Sequence, residues 1–386
     1  MKKQINMYKN NINLNLARKW RPQKFGEIIG QDIAIKTLQN GLFLKKFFPV
    51  YLFAGQRGCG KTSSARIFAS AVNCKNLENF QKNPNEIIPC LKCNSCQSML
   101  QNNHPDFIEI DAASHTGVDN VRQILESCAY MPLSGNKKIY LIDEAHMLSK
   151  AAFNAFLKIL EEPPNSVLFI LATTEIHKIP QTVLSRCFQV IFKPINNDSL
   201  KEHLMKLSEL EKININLNAI EMIIEETEGS ARDAINLLER VRFSTEKITE
   251  ETILNVLGKI SEKDFYSIFE ALINQNAPET LKLLESINFK ALNPQIFWNT
   301  LVQSCRNLMW VKYGSKIKNR NLETLQKLAS QTSINRIQAI FQLLWNQEPI
   351  FLQTPQKHIF LESVLIQICE QTNIEDLKDL INYCKS

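Results

Sequence analysis

Up to about residue 193 the chain alternates two patterns. Short, nearly continuous apolar runs are followed by stretches in which apolar positions recur every three or four residues. The runs Val50–Ala54, Phe107–Asp111, Lys138–Asp143, Val167–Thr174 and Cys187–Phe192 predict strands. Between them, Phe153, Phe156, Leu157 and Leu160 follow helical spacing, and Pro163-Pro164 stops that helix. Strands alternating with helices imply an α/β domain with a parallel sheet covered by helices. Lys193-Pro194 closes it, giving a first domain over 1–195. Beyond that no strand is expected. Residues 196–257 predict a small helical domain. Residues 258–386 predict a second helical set, broken near Asn293-Pro294, Glu348-Pro349 and Thr354-Pro355, with Trp298, Trp310 and Trp345 expected in its core.

Composition changes this picture little. The chain has 386 residues, 44% hydrophobic and 22% charged, as in globular proteins. Runs such as Val167–Ala172 fall well short of the roughly 18 apolar residues a membrane helix needs. The N-terminus has no apolar signal core, so a cytoplasmic location is expected. Charge is uneven. Lys2, Lys3, Lys9, Arg18, Lys19, Arg21 and Lys24 face no acid within residues 1–24, while the rest of the chain holds 38 basic and 39 acidic side chains. A basic tip of this size reads first as a solvated tail and only weakly as a nucleic-acid contact. Ten cysteines without a secretion signal argue against a disulfide framework.

The chemistry begins at Gly55-Gln56-Arg57-Gly58-Cys59-Gly60-Lys61-Thr62, a full match to G-x-x-x-x-G-K-[ST] between a strand and a helical run, Thr62 to Val72. In that context backbone N–H groups wrap phosphate oxygens, Lys61 reaches the β- and γ-phosphates, and Thr62 offers its hydroxyl to Mg²⁺. Leu141-Ile142-Asp143-Glu144-Ala145-His146 then ends a later strand. Asp143 is the expected holder of Mg²⁺ and Glu144 the group that orients or deprotonates the attacking water. His146 is expected to be a polar loop residue. By themselves Thr174, in Leu171–Thr174, and Arg186, in Ser185-Arg186-Cys187, are weak signals. Gly229-Ser230-Ala231-Arg232-Asp233 starts a helix with a capping box between Ser230 and Asp233. A cation such as Arg232 does not suit a helix N-terminus, which suggests a phosphate partner.

Cys90-x₂-Cys93-x₂-Cys96, with Cys74 upstream, supplies four thiolates. The spacing suits zinc first and an iron–sulfur cluster second. A closed four-thiolate site has no open position for catalysis, so a structural metal is expected.

Together these residues resemble the gamma/tau family of bacterial DNA polymerase III, the motor of the sliding-clamp loader. The resemblance runs through Ala17-Arg18-Lys19-Trp20-Arg21-Pro22, Ile29-Gly30-Gln31-Asp32, the Gly55–Thr62 loop, the cysteine module, His104-Pro105-Asp106, Glu109–Ser114, the LIDEAHMLS stretch, Leu157–Pro164, LATTE, LSRC and GSARD. It is close over roughly residues 14–240. It implies an AAA+ module with a helical lid, followed by an oligomerising collar. It also implies roles: Thr174 as sensor 1, Arg232 as sensor 2, Arg186 as an arginine finger acting on a neighbour's ATP, and Ala17–Pro22 with Ile29–Gln31 near the adenine. The implied partners are delta- and delta-prime-type subunits in a hetero-oligomer, the sliding clamp, primer–template DNA and the DNA polymerase III core, with no membrane. The implied cofactors are ATP, Mg²⁺ and Zn²⁺. The absence of a long tau-type extension would make this a short, gamma-like form.

Two departures stand out. The Cys74–Cys90 spacing is longer than in the family, and Leu77 to Glu86 are expected to loop out. His115 and Gly117 stand where some relatives carry basic residues, which leaves Arg122 as the expected phosphate contact there. The last four letters of LIDEAH also match a helicase class. A helicase of that kind needs a second αβ motor domain, and the helical pattern after 195 offers none. A nucleotide-binding scaffold that does not hydrolyse is disfavoured because Lys61, Thr62, Asp143 and Glu144 are all present.

Overall fold

The computed structural model describes residues 15–114, 117–315 and 322–371. Lys2, Lys3 and Lys9 of the basic tip, and His115, lie outside them. The chain divides into two compact units, Met1–Ile248 and Thr249–Ser386.

The first unit is built on five parallel strands: β1 (Val50–Gly55), β2 (Phe107–Asp111), β3 (Lys138–Asp143), β4 (Val167–Thr173) and β5 (Phe188–Phe192). Their order in the sheet is β2-β3-β4-β1-β5. Side chains alternate between two buried faces, as a strand's period of two requires. Tyr51, Phe53, Ile139, Leu141, Leu168 and Ile170 pack into one core, and Val50, Leu52, Tyr140, Ile142, Phe169 and Leu171 into the other. Burial on both faces is why these strands read as apolar runs rather than alternating patterns. In chain order, the connection leaving β1 runs to β2 at one edge of the sheet, whereas the one leaving its neighbour β4 crosses β1 to reach β5 at the other, so adjacent strands send the chain in opposite directions. Ligands of open α/β sheets bind at such a reversal, outside the carboxyl ends of the strands.

Three expectations are corrected here. Leu77–Lys82 is a helix, not part of a loop. Leu77 and Phe80 are spaced to share one helical face and both are buried, with Phe80 edge-on to Phe43. Beyond residue 195 there is a short parallel pair, Asn214–Ile215 with Lys247–Ile248, too brief to leave a periodic signature. Lys19 and Arg21 do not belong to a solvated tail. The short helix Leu16–Lys19 and the residues after it lie along the helical part of this unit. Glu211 Oε1 accepts from Trp20 Nε1 at 2.8 Å and pairs with Lys19 Nζ at 2.6 Å, while Glu239 Oε1 accepts from the Leu16 N–H at 3.0 Å.

The second unit is helical, running from Glu250–Leu257 through Lys357–Glu370 around one apolar core. Trp298 is fully buried, its ring stacked on Phe351 at 4.4 Å. The other two tryptophans are corrections: Trp310 is 45% exposed beneath the Arg306 guanidinium, and Trp345 is 63% exposed against Phe341. An amphipathic aromatic needs only one covered face, which periodicity alone does not reveal. Pro294 opens one helix and Thr354 ends another, as expected, but Pro349 lies inside Ile334–Gln353. It stands in the last turns, where a missing N–H disrupts least of the remaining ladder.

Candidate nucleotide and metal sites

The loop after β1 turns on glycine. Gly58 has φ +75°, and a Cβ there would lie 2.0 Å from Ser230 Oγ; Gly60 has φ +104°. Both conformations favour glycine, and they bring backbone N–H groups into the concave turn that opens the helix Lys61–Val72. Lys61 is only 5% exposed, and its ammonium donates to the carbonyls of Gly55 and Gln56 at 2.9 Å each. Gln31 fixes the outer side of the loop. Its amide donates to Cys59 O and Lys193 O and accepts from the Lys193 N–H.

The end of β3 meets this loop directly. Thr62 Oγ1 donates to Asp143 Oδ2 at 2.8 Å, so the two oxygens expected around Mg²⁺ are already adjacent. The other carboxylate oxygen of Asp143 accepts the Glu144 N–H at 3.1 Å. Glu144 itself is in the left-handed backbone region, φ 50° and ψ 43°. Its Oε2 accepts from Thr174 Oγ1 at 3.1 Å, which joins the ends of β3 and β4.

Residues of the helical part of this unit approach the loop. A Cβ on Gly58 would lie 3.2 Å from Arg232 Cβ, and Ser230 caps the helix Ala231–Arg242 by accepting the Asp233 N–H. The reciprocal half of the expected capping box is not made: the Ser230 N–H goes to Thr227 O, while the Ser230 hydroxyl donates to the Asp233 carboxylate. Arg21 lies on the opposite side of the loop, its Nε 3.3 Å from Ser63 Oγ. Burial, then the nearby Arg66 guanidinium, pulls the Arg21 pKa down to about 10, with Arg232 adding to the effect and Glu109 and Asp143 opposing it. Lys61, Arg21, Arg66 and Arg232 thus concentrate positive charge in a partly desolvated cleft, an environment an oligophosphate relieves.

Arg186 stands elsewhere. Its guanidinium pairs with Glu161 at 2.8 Å and donates to Thr182 O, and both members of the ion pair are exposed. Arg122 belongs to the helix Val118–Ser127.

Cys74, Cys90, Cys93 and Cys96 converge, all four sulfurs lying within 4.8 Å of one another. A tetrahedral site with metal–sulfur bonds of about 2.3 Å has sulfurs roughly 3.8 Å apart, so the donor set fits a single soft ion. Cys90 Sγ and Cys96 Sγ are 3.9 Å apart. Close by, Ser95 Oγ meets His104 Nε2 at 2.9 Å, and His104 Nδ1 accepts the Asp106 N–H. With Nδ1 occupied in this way the ring cannot serve as a base toward Ser95. The arrangement ties the cysteine module to the start of β2.

Comparison with known proteins gives the family. A model described as "DNA polymerase III, delta subunit" matches residues 30–196, and one described as "DNA polymerase III subunits gamma and tau domain III" matches 248–383. The chain is 35% identical to the DNA polymerase III subunit gamma of Buchnera aphidicola subsp. Baizongia pistaciae, over 92% of this chain and 96% of that one. The chain belongs to the DNA polymerase III gamma/tau family. It is also 35% identical to the subunit tau of Bacillus subtilis over 95% of its own length, and 37% identical to that of Escherichia coli over 76%. It spans 64% and 44% of those two relatives. A Holliday junction branch migration motor of Thermotoga maritima, RuvB, superposes on 70% of this chain and 85% of that one at 22% identity with a TM-score of 0.46, too little alike to add to the assignment.

Sequence reasoning missed two residues of this gamma/tau site. His146 is no loose loop residue. Its side chain is 7% exposed and touches Glu144, Thr173 and Glu175. Glu211 was unremarkable in an acidic helix, yet it holds the segment that carries Arg21. No spacing rule points to it, because Trp20, which it fixes, lies 191 residues away in the chain.

Proposed function

We propose that this chain is the ATP-hydrolysing motor subunit of a replicative sliding-clamp loader. Family membership supports the setting. The observation that carries the motor role is the continuous Thr62–Asp143–Glu144–Thr174 connection, which brings together a P-loop hydroxyl, a metal-binding carboxylate, a candidate base and a strand-end hydroxyl. Residues Gly55 to Thr62 bind the phosphates, with Lys61 on the β- and γ-oxygens. Thr62 and Asp143 would hold Mg²⁺, which when bound would supply positive charge to the leaving phosphate oxygens. Glu144 takes the proton of the attacking water, and Thr174 aligns it. Arg232 reads the γ-phosphate from the lid, within residues 196–257. Ala17–Pro22 and Ile29–Gln31 border the base. Arg186 completes the site of a neighbouring subunit, and its exposed position beside Glu161 leaves it accessible for that role. The four cysteines hold Zn²⁺ as a structural staple. The helical second unit supplies the oligomerising collar, and the assembly engages delta- and delta-prime-type subunits, the clamp, primed DNA and the polymerase core in the cytoplasm. Among the described residues no helix is long and apolar enough to cross a membrane.

Lys61→Ala tests the nucleotide reading. Equilibrium titration with a fluorescent ATP analogue is expected to show at least a hundredfold weaker binding, on the order of 3 kcal/mol lost, and clamp loading on primed DNA is expected to disappear. Loading at the wild-type rate by that variant rules the motor role out.

A further inference from the structure

The strand-end network contains a side chain to which the nucleotide chemistry gives no task. His146 follows β3 in the turn Ala145–Met147, and its ring is held between Glu144 at the end of β3 and two groups, Thr173 and Glu175, at and just after the end of β4. Nδ1 lies 3.2 Å from Thr173 Oγ1 and 3.4 Å from Glu144 Oε2, and Nε2 lies 3.4 Å from Glu175 Oε1. Thr173 is fully buried, and its Oγ1 also accepts the Glu175 N–H at 3.1 Å. The Thr173 side of the ring is therefore braced by a fixed backbone feature, while Glu144 and Glu175 on its other sides are about one-third exposed. Nδ1 makes its hydrogen bond with Thr173 Oγ1, in a direction set by the ring tautomer, and the Glu144 carboxylate oxygen stands at a longer 3.4 Å from the same nitrogen.

We propose that His146 is a positioning residue for Glu144. Resting on the reading of Glu144 as the group that acts on water, the proposal adds what aims it. Thr174 Oγ1 and His146 Nδ1 converge on one carboxylate oxygen, Oε2. Two contacts on one oxygen fix rotation about the last side-chain bond. Glu144 needs that restraint, since its left-handed backbone places it at the start of a turn and its side chain is one-third exposed. A carboxylate that swivels meets the water in fewer productive geometries, and the loss falls on the chemical step, not on nucleotide affinity.

The two ring nitrogens permit a directional test. In His146→Asn the side-chain amide takes the place of Nδ1, in His146→Gln that of Nε2, and in His146→Leu neither is replaced. In the subunit complex with clamp and primed DNA, His146→Leu is expected to lower kcat for ATP about tenfold, the loss of one modest hydrogen bond. The Kd for ATP and the Tm should stay at wild-type values. His146→Asn is expected to recover most of the rate and His146→Gln little. Equal rates in all variants overturn the proposal. So does an Asn variant no better than the Leu variant, and so does a loss of ATP affinity or Tm that accounts for the rate, since packing alone then suffices. Wild type and Glu144→Gln run alongside: if they hydrolyse ATP at the same rate, the underlying reading of Glu144 has failed, not this addition to it.

Discussion

Glu144 occupies a backbone conformation that costs a non-glycine residue about 1–2 kcal/mol, and the bonds from Thr174 and the Asp143 carboxylate surround it. Its neighbours show how much of the site was legible. Gly55 to Thr62 announce themselves because phosphate binding needs a fixed spacing of glycine, lysine and hydroxyl. Asp143 and Glu144 follow because acids at the end of an apolar strand are unusual. His146 was illegible: only the fold shows that its ring faces β4. A second buried residue carries a prediction. Asp106 is 1% exposed, and its carboxylate accepts the N–H groups of Leu133, Ser134 and Gly135 and the Ser134 hydroxyl. Burial alone would raise its pKa; the four hydrogen bonds overcome that and hold it below the ordinary 3.8. A depressed pKa in the folded state contributes stability above the unfolded value and loses it as pH falls through the folded one. Asp106→Asn is expected to cost about 1–3 kcal/mol at neutral pH, because an amide can meet fewer of those donors. The difference from wild type in urea unfolding should shrink below pH 3.8.

At the level of elements, the strands were the most legible part. Phe107–Asp111 and Lys138–Asp143 have the expected bounds, and the other three differ by a residue. Continuous apolar runs bounded by polar turns leave little freedom where both sheet faces are covered. The helix Leu77–Lys82 was missed because its two buried residues are set among asparagines and charges, so its periodicity spans a single turn. The cysteine module, by contrast, was readable from spacing, since thiolates must share one ion. Its packing goes further: Cys74 and Cys96 are buried against the core that also holds Phe68 and Val72. Equimolar zinc by elemental analysis is expected, and Cys93→Ser should lose most of it. Removing the metal should speed amide exchange across residues 74–100 while β1 and β4 stay protected. Stoichiometric iron with a visible charge-transfer band contradicts the zinc reading; unchanged exchange contradicts the staple.

For the whole molecule, the first unit already holds the parts of a nucleotide switch. Arg232 and Ser230 from the helical part approach Gly58, and Arg21 reaches Ser63 from a segment that Glu211 anchors. Glu211 is 9% exposed with Lys19, Trp20 and Arg242 around it, so that segment and the helical part share one partly buried ionic joint. In the proposed function each of these pieces bears on nucleotide held in the same chain. Arg186 does not: it pairs with Glu161 on an exposed edge. An exposed pair of this kind contributes little to stability, so stability does not explain its presence. Hydrolysis completed between subunits and triggered by primed DNA therefore depends most heavily on Arg186. The most direct measurement is the ATP hydrolysis rate of the assembled complex, with and without clamp and primed DNA, for wild type and Arg186→Ala. The account predicts strong DNA stimulation in wild type and loss of nearly all of it in Arg186→Ala, on the order of 10³-fold for a trans-acting arginine, with ATP binding near wild type. A fully DNA-stimulated rate in Arg186→Ala contradicts it.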